Sequence, residues 1–170
     1  YDLGNKFYSL WLDSTMTYSS AIYRDGVNEL QNAQEAKYAR IIKLLNPKPG
    51  DNILEIGCGW GGFAKYAGSI GFGVTGITIS EKQYNYASNS IDKNGLSEKV
   101  EIKLCDYRDL NSKYDHIVSI EMIEAVGEKF WPSYFEIISK NLKKGGAFAL
   151  QAITVDNTRF NQYRKQLDFI

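Results

Sequence analysis

Gly57, Gly59 and Gly62 follow a short apolar run, Asn52–Ile56, and open a helical pattern, so a G-x-G-x-x-G turn stands between a strand and a helix. Glycine permits such a tight turn and lets backbone approach a ligand closely. In that context the turn suits a nucleotide-type ligand; a glycine-rich turn with no ligand is the plainer alternative. Asp106 closes another run, Lys103-Leu104-Cys105-Asp106-Tyr107, and has two readings. It is an acceptor for an adenine amino group, with Tyr107 against the ring face, or it is a helix N-cap. Glu121 and Glu124 follow a further run, three residues apart; by themselves they read as solvated acids of a helical turn. His116, the single histidine, opens that run beside Asp115 and away from the strand tips, so it reads as structural.

Two features separate the ligands the glycine turn could take. A dinucleotide site wants an acid about 20 residues on, to hold a ribose. Here the second strand ends in Thr78-Ile79-Ser80, without an acid. Glu55 stands two residues before Gly57 and completes E-x-G-x-G, the loop typical of S-adenosylmethionine binders.

These residues need elements to position them. Phe7, Leu10 and Trp11, at i, i+3 and i+4, predict a short amphipathic helix over Asn5–Asp13, and the polar-aromatic stretch Ser14–Tyr23 reads as a loop. Val27–Leu45 reads as a long helix stopped by Pro47, Pro49 and Gly50. Strands are expected at Asn52–Ile56, Gly73–Ile79, Val100–Cys105, His116–Ile120 and Ala147–Ile153. Helices are expected at Phe63–Ile70, from the Ser80 cap with Gln83 in a capping-box pattern to Lys93, and at Trp131–Leu142. Phe160–Phe169 also looks helical. Strand–helix alternation with near-continuous apolar strands predicts a doubly wound, mostly parallel α/β sheet. Ligands in such sheets sit beyond the carboxyl ends of the strands.

Composition excludes several classes. The chain has 170 residues, which fits one domain. Twenty Lys plus Arg balance twenty Asp plus Glu, which argues against a nucleic-acid binder held by bulk charge. The excess of +3 over residues 128–170 reads as an ordinary solvated face. Two cysteines make no disulfide framework, which fits a reducing compartment, and with one histidine they are too few for a Cys/His zinc site. No apolar run is long enough to span a bilayer, and no signal peptide is visible. The start, Tyr1-Asp2-Leu3, reads as that of a trimmed chain.

The motifs become specific when taken together. Tyr1-Asp2-Leu3-Gly4-Asn5, Met16-Thr17-Tyr18-Ser19, LEIGCGWGG over 54–62, Gly76–Ser80 with Gln83, VSIEMIEAVG over 118–127, and LQAIT over 150–154 fall in order. In this the chain resembles the cyclopropane-fatty-acyl-phospholipid synthases and mycolic acid cyclopropane synthases. The resemblance implies a Rossmann-like class I methyltransferase, with a helical lid over residues 1–46 and a core over 47–170. It implies that Tyr18 and Ser19 touch the methionine part of S-adenosylmethionine from the lid. Residues 53–61 cradle the cofactor, with Glu55, Gly57, Cys58, Gly59 and Gly61 as its contacts. Thr78, Ile79 and Gln83 lie at the ribose, Asp106, Tyr107 and Arg108 edge the adenine, and Ile120 packs beneath.

On the same resemblance Glu124 matches an active-site glutamate that holds a bicarbonate ion, and Gln151 and Ile153 match positions that also contact it. The family often has Cys where this chain has Ser20 and His where it has Gln151; both substitutes still hydrogen-bond an anion. The implied reaction adds a methylene across a cis double bond of a phospholipid acyl chain, with bicarbonate as base. The enzyme is then expected in the cytoplasm, peripheral at the inner membrane face. A methyltransferase that makes a methyl-branched lipid or acts on a small amine, and an inactive cofactor-binding module, are the alternatives. The tyrosine-rich N-terminal part, including Tyr8 and Tyr23, offers a cover or a lipid-facing surface, with Phe7 and Trp11 expected in plain core packing. Family members close the sheet with a hairpin after strand five and bring a late tyrosine to the ion. The chain stops at Ile170, before such strands, so strand five is expected at an open edge with Phe148, Leu150 and Ile153 under-covered.

Overall fold

The computed structural model describes residues 4–24, 26 and 28–163, the last three by backbone alone. Tyr1–Leu3, Val27 at the expected start of the long helix, and 164–169 of the last helix lie outside the described residues. The elements in chain order are α1 (Asn5–Tyr8), α2 (Leu30–Leu45), β1 (Asn52–Ile56), α3 (Gly62–Ser69), β2 (Gly73–Thr78), α4 (Glu81–Lys93), β3 (Val100–Leu104), β4 (Tyr114–Ile120), α5 (Trp131–Asn141), β5 (Leu142–Gln151) and α6 (Asn157–Tyr163).

The five strands form one sheet in the order β3-β2-β1-β4-β5, every neighbouring pair parallel. The period of two along β1 explains why both faces are covered. Ile53 packs with Tyr38, Ile41 and Leu45 of α2 and with α3 and α4 on one face. Leu54 and Ile56 pack with Tyr134 and Ile138 of α5 on the other. All three β1 side chains are fully buried, each worth roughly 1.5–3 kcal/mol of transfer free energy. The chain leaves β1 toward β2 and β3, then crosses back to β4 and β5, so the sheet reverses direction between β1 and β4. The crevice at such a switch point is the natural ligand site.

Three expectations need correction. The N-terminal helix is one turn, Asn5–Tyr8, and its hydrogen bonds then mix three- and four-residue spacings up to Leu12. Tyr8 is its buried aromatic, against Met16 and Trp60, whereas Phe7 and Trp11 are close to half exposed. The apolar spacing therefore marks a surface edge and not the core. The last strand begins at Leu142 and ends at Gln151, earlier than expected at both ends. Residues 143–146 bulge between the pairs Tyr114↔Leu142 and His116↔Ala147, which absorbs Gly145 and Gly146 into the strand. The final helix starts at Asn157. As expected, β5 lies at one edge of the sheet, and Leu150 and Ile153 are exposed; Phe148, expected to be under-covered with them, is instead half-buried against the core cluster and the Phe135 ring.

His116 accounts for itself at the opposite end of the sheet. Its Nε2 meets Asp51 Oδ2 at 3.1 Å, while Asp115 accepts from Asn52 N and Lys143 Nζ. These contacts tie strand starts together, remote from the crevice.

Candidate active site

A cavity of about 250 Å³ opens at the carboxyl ends of β1–β4. The turn after β1 shapes its floor. The backbone N–H groups of Gly57 and Cys58 both donate to Ile77 O, at 3.0 and 2.9 Å, and so lock the turn to β2. Gly57 has φ +78°, and a Cβ there would stand 2.7 Å from Met122 Cγ. Gly59 has φ +54°, and a Cβ there would meet nothing within 4 Å. Its bare face is thus left open beside the cavity it lines.

Glu55 lines the same cavity and is 3% exposed. Burial pushes its carboxyl up to about 8, against a backbone N–H from Ala64 and the charge of Lys37, which both act to lower it. Its Oε2 is buried and has no hydrogen-bond partner among the described residues. An unsatisfied buried carboxyl oxygen costs about 1–3 kcal/mol, and a cationic ligand group placed there would pair with the carboxylate once its proton has left.

The other expected contacts divide. Tyr18, Ser19, Cys58, Thr78, Ile79, Gln83, Asp106, Tyr107 and Ile120 line the cavity. Thr78 Oγ1 donates to Gln83 Oε1 at 2.8 Å, which fixes the pair at the tip of β2, and Ser80 caps α4. Asp106 does what an N-cap does: it accepts from Arg108 N at 2.9 Å, and Arg108 Nε and Nη2 clamp both its oxygens. That clamp holds its carboxyl below the usual range. Gly61 and Arg108 do not line the cavity. Gly61 is the N-cap of α3, at φ +86°, and lies tight against α4, where a Cβ would stand 3.0 Å from Ala87 Cβ.

A second group gathers where β4 and β5 end. Glu121 N donates to Gln151 O at 2.9 Å. Glu121 Oε1 accepts from Ser20 N at 3.0 Å, from Ser20 Oγ, and from Gln151 Nε2 at 2.8 Å. Glu121 lines the cavity. Its φ of +46° is left-handed, which is rare for a residue with a side chain. Glu124 points elsewhere: its Oε1 accepts from Ile153 N at 2.6 Å, and its Oε2 is buried without a partner among the described residues. Glu121 and Glu124 therefore do not form the solvated pair their spacing suggests.

Sequence reasoning missed Glu121 as a site residue, and it missed Lys37. Lys37 is 1% exposed on α2, where its Nζ donates to Ser19 Oγ at 2.5 Å and Ser20 O at 3.0 Å. Burial lowers its pKa to about 8, against the charges of Glu121 and Glu55. The signal was present: Lys37 shares the α2 stripe with Ala33, Ile41 and Leu45, a position where an unpartnered charge would be costly.

A parallel sheet in this order, a glycine turn after β1 and a buried acid beneath it define a class I S-adenosylmethionine-dependent methyltransferase fold. The chain belongs to the mycolic acid cyclopropane synthetase family, whose model matches residues 1–170. It is 45% identical over 162 residues to the cyclopropane-fatty-acyl-phospholipid synthase of Escherichia coli, covering 95% of this chain and 41% of that protein. It is 40% identical over 166 residues to a tuberculostearic acid methyltransferase of Mycobacterium tuberculosis, covering 94% of this chain and 39% of that one. A solved mycolic acid cyclopropane synthase complexed with SAH and CTAB superposes with a TM-score of 0.80 at 32% identity, over 84% of this chain and 50% of that one. The chain thus spans about two-fifths of the length of the curated relatives it matches.

Proposed function

We propose that the protein transfers the methyl group of S-adenosylmethionine to a cis double bond of a phospholipid acyl chain and closes a cyclopropane ring. The observation that carries the cofactor assignment is the Glu55 carboxyl, buried with an unpartnered oxygen in a residue of the cavity that Gly59, with its open face, also lines. A ligand with a cationic amino-acid end answers the first, and close backbone approach answers the second. The cofactor supplies an electrophilic sulfonium methyl. Thr78 and Gln83 hold the ribose, and Asp106 with Tyr107 edges the adenine. The lid, residues 1–46, closes the methionine end through Tyr18 and Ser19.

An alkene is a weak nucleophile, so the enzyme's task is to fix it in line with the methyl and to exclude water. Tyr18, Trp60 and Tyr107 around the cavity present aromatic faces that stabilise a carbocation. Half-exposed Phe7, Trp11 and Tyr18 touch one another edge-on, with ring centroids 6.2 and 5.4 Å apart, and Leu10 beside them is 82% exposed. This apolar edge is the surface we assign to lipid contact, at the inner membrane face. No helix among the described residues is long and apolar enough to cross a membrane, in keeping with peripheral attachment.

The bicarbonate that the resemblance implies meets a donor set already engaged. Ser20 and Gln151 donate to Glu121, and Ile153 N donates to Glu124. A further anion would displace one carboxylate and sit beside the other, so the residues present do not fit it.

The test is to incubate the full-length protein with labelled S-adenosylmethionine and vesicles of unsaturated phospholipid. Cyclopropane lipid is the expected product. A methyl-branched lipid would favour the second reading, which the likeness to the tuberculostearic acid methyltransferase supports. Label on a small amine, or cofactor binding without product, would overturn both.

A further inference from the structure

The carboxylate just past the end of β4 is held from two distant segments of the chain, by Ser20 and by Gln151. Glu121 sits one residue past the strand, in a left-handed conformation that is unfavourable for a side-chain-bearing residue. Such strain persists where surrounding structure imposes it, and it clusters at functional sites. Here the imposing contacts are visible: the backbone N–H is tied to Gln151 O, and Oε1 collects donors from Ser20 and Gln151. Oε2 takes part in no hydrogen bond among the described residues, and Glu121 lines the cavity together with Ile120 and Met122.

We infer that Glu121 is the built-in proton acceptor of the reaction, filling with its own carboxylate the place where a mobile anion would otherwise bind. The inference rests on the proposed methyl transfer to an alkene. In that reaction the alkene π pair forms the new bond to the methyl carbon while the carbon–sulfur pair returns to sulfur. The neighbouring alkene carbon is left cationic. A C–H pair of the transferred methyl then closes the three-membered ring, and the released proton passes to the Glu121 carboxylate. Ser20 and Gln151 hold Oε1, so the unbonded oxygen is the one free to receive it. Glu124 is a positioning residue in this account: it spends Oε1 on the backbone of Ile153 and does not line the cavity.

The experiment uses the full-length protein, Glu121→Gln and Glu121→Gly. Glycine suits the positive φ, so the second variant removes the carboxylate without backbone strain. Titration with ¹³C-labelled bicarbonate, followed by NMR, should show no site in the wild type and a saturable site in Glu121→Gly. In carbonate-stripped buffer the wild type should keep its turnover, and Glu121→Gln should lose about 10²–10⁴-fold. Glu121→Gly should be inactive there and regain turnover when bicarbonate or formate is added. Calorimetric affinity for the cofactor should be the same in all three. A wild type that binds bicarbonate and needs it for turnover, or a Glu121→Gln variant of near-normal rate, would overturn the role of Glu121. A wild type that yields no lipid product under any condition would overturn the proposed function itself.

Discussion

Gln151 Nε2 donates to Glu121 Oε1 across 2.8 Å, joining the last residue of β5 to the first residue past β4. With Glu121 N donating to Gln151 O as well, two neighbouring parallel strands thus end on a pair of hydrogen bonds between the same two residues. Because Gln151 Nε2 also reaches Ser20 Oγ at 3.0 Å, the N-terminal segment is tied to the same point. Gln151→Leu should leave the Glu121 carboxylate loosely held. The expected result is a fall in turnover of about tenfold or more with unchanged cofactor affinity, since a misplaced catalytic group costs rate before it costs binding. A steady-state comparison that separates kcat from the cofactor Kd checks it.

Gly59→Val should damage cofactor binding specifically. The new side chain projects into the open face beside the cavity, from a backbone at φ +54° that valine disfavours. Affinity measured by calorimetry should drop at least about tenfold, or about 1.4 kcal/mol. Circular dichroism should show a folded protein with a Tm lower by several degrees. Unchanged affinity would contradict the cavity as the cofactor site.

Glu55 makes cofactor affinity depend on pH. Burial holds its carboxyl near 8, so at neutral pH it is mostly protonated when no ligand is bound. A cationic ligand favours the ionised form and expels that proton. Affinity should therefore rise with pH up to about 8 and level off above it. Calorimetry at neutral pH in two buffers of different ionisation enthalpy should detect proton release, and Glu55→Gln should abolish it. Stability of the ligand-free protein runs the other way. A carboxyl raised from its ordinary 4.5 contributes most below that value, and the contribution is lost as pH rises through 8.

Much of this architecture was legible in the residues. β1 was predicted with its observed ends because Ile53, Leu54 and Ile56 make a short β-forming run that terminates in glycine. The Ser80–Gln83 cap was predicted because its chemistry is local. The glycine turn and its place past the strand ends followed from one motif and one rule, whereas the individual residues at the β1 and β2 tips came from the family resemblance. What could not be read depends on contacts distant in sequence. Ser20 meets Glu121 across 101 residues, and Glu121 meets Gln151 across 30. Spacing alone paired Glu121 with Glu124, whereas the left-handed turn at Glu121 sends the two carboxylates to different partners. The bulge at 143–146 was hidden because Gly145 and Gly146 are equally good helix stops. Phe7 and Trp11 were misjudged because periodicity identifies an apolar face without saying what covers it.

Glu124→Ala should release the Ile153 N–H, whose bond to Glu124 is 2.6 Å long. Hydrogen exchange at the Ile153 amide should accelerate in Glu124→Ala. In Glu124→Gln, which keeps an acceptor oxygen, it should stay slow. Turnover should follow the same order, with cofactor affinity preserved in both. Equal exchange rates in the two variants would contradict the positioning role.

Gly62→Ala tests how the N-terminal segment is seated. A Cβ there would come within 2.5 Å of Tyr38 Oη and 2.7 Å of Thr17 Oγ1, a pair that are hydrogen-bonded to each other. Overpacking of this kind costs about 1–3 kcal/mol. Thermal unfolding should move down by several degrees, and a Tm at or above the wild-type value would show that the Thr17–Tyr38 contact is not tight.

The central claim is that a methyl group passes from S-adenosylmethionine to an acyl-chain double bond and then surrenders one proton. Supplying the full-length protein with cofactor deuterated in its methyl group, together with vesicles of a monounsaturated phospholipid, and weighing the acyl chains by mass spectrometry tests it directly. The acyl chain should gain one carbon and keep two of the three deuterium atoms. An acyl chain that keeps all three, or no label in the lipid at all, would contradict it.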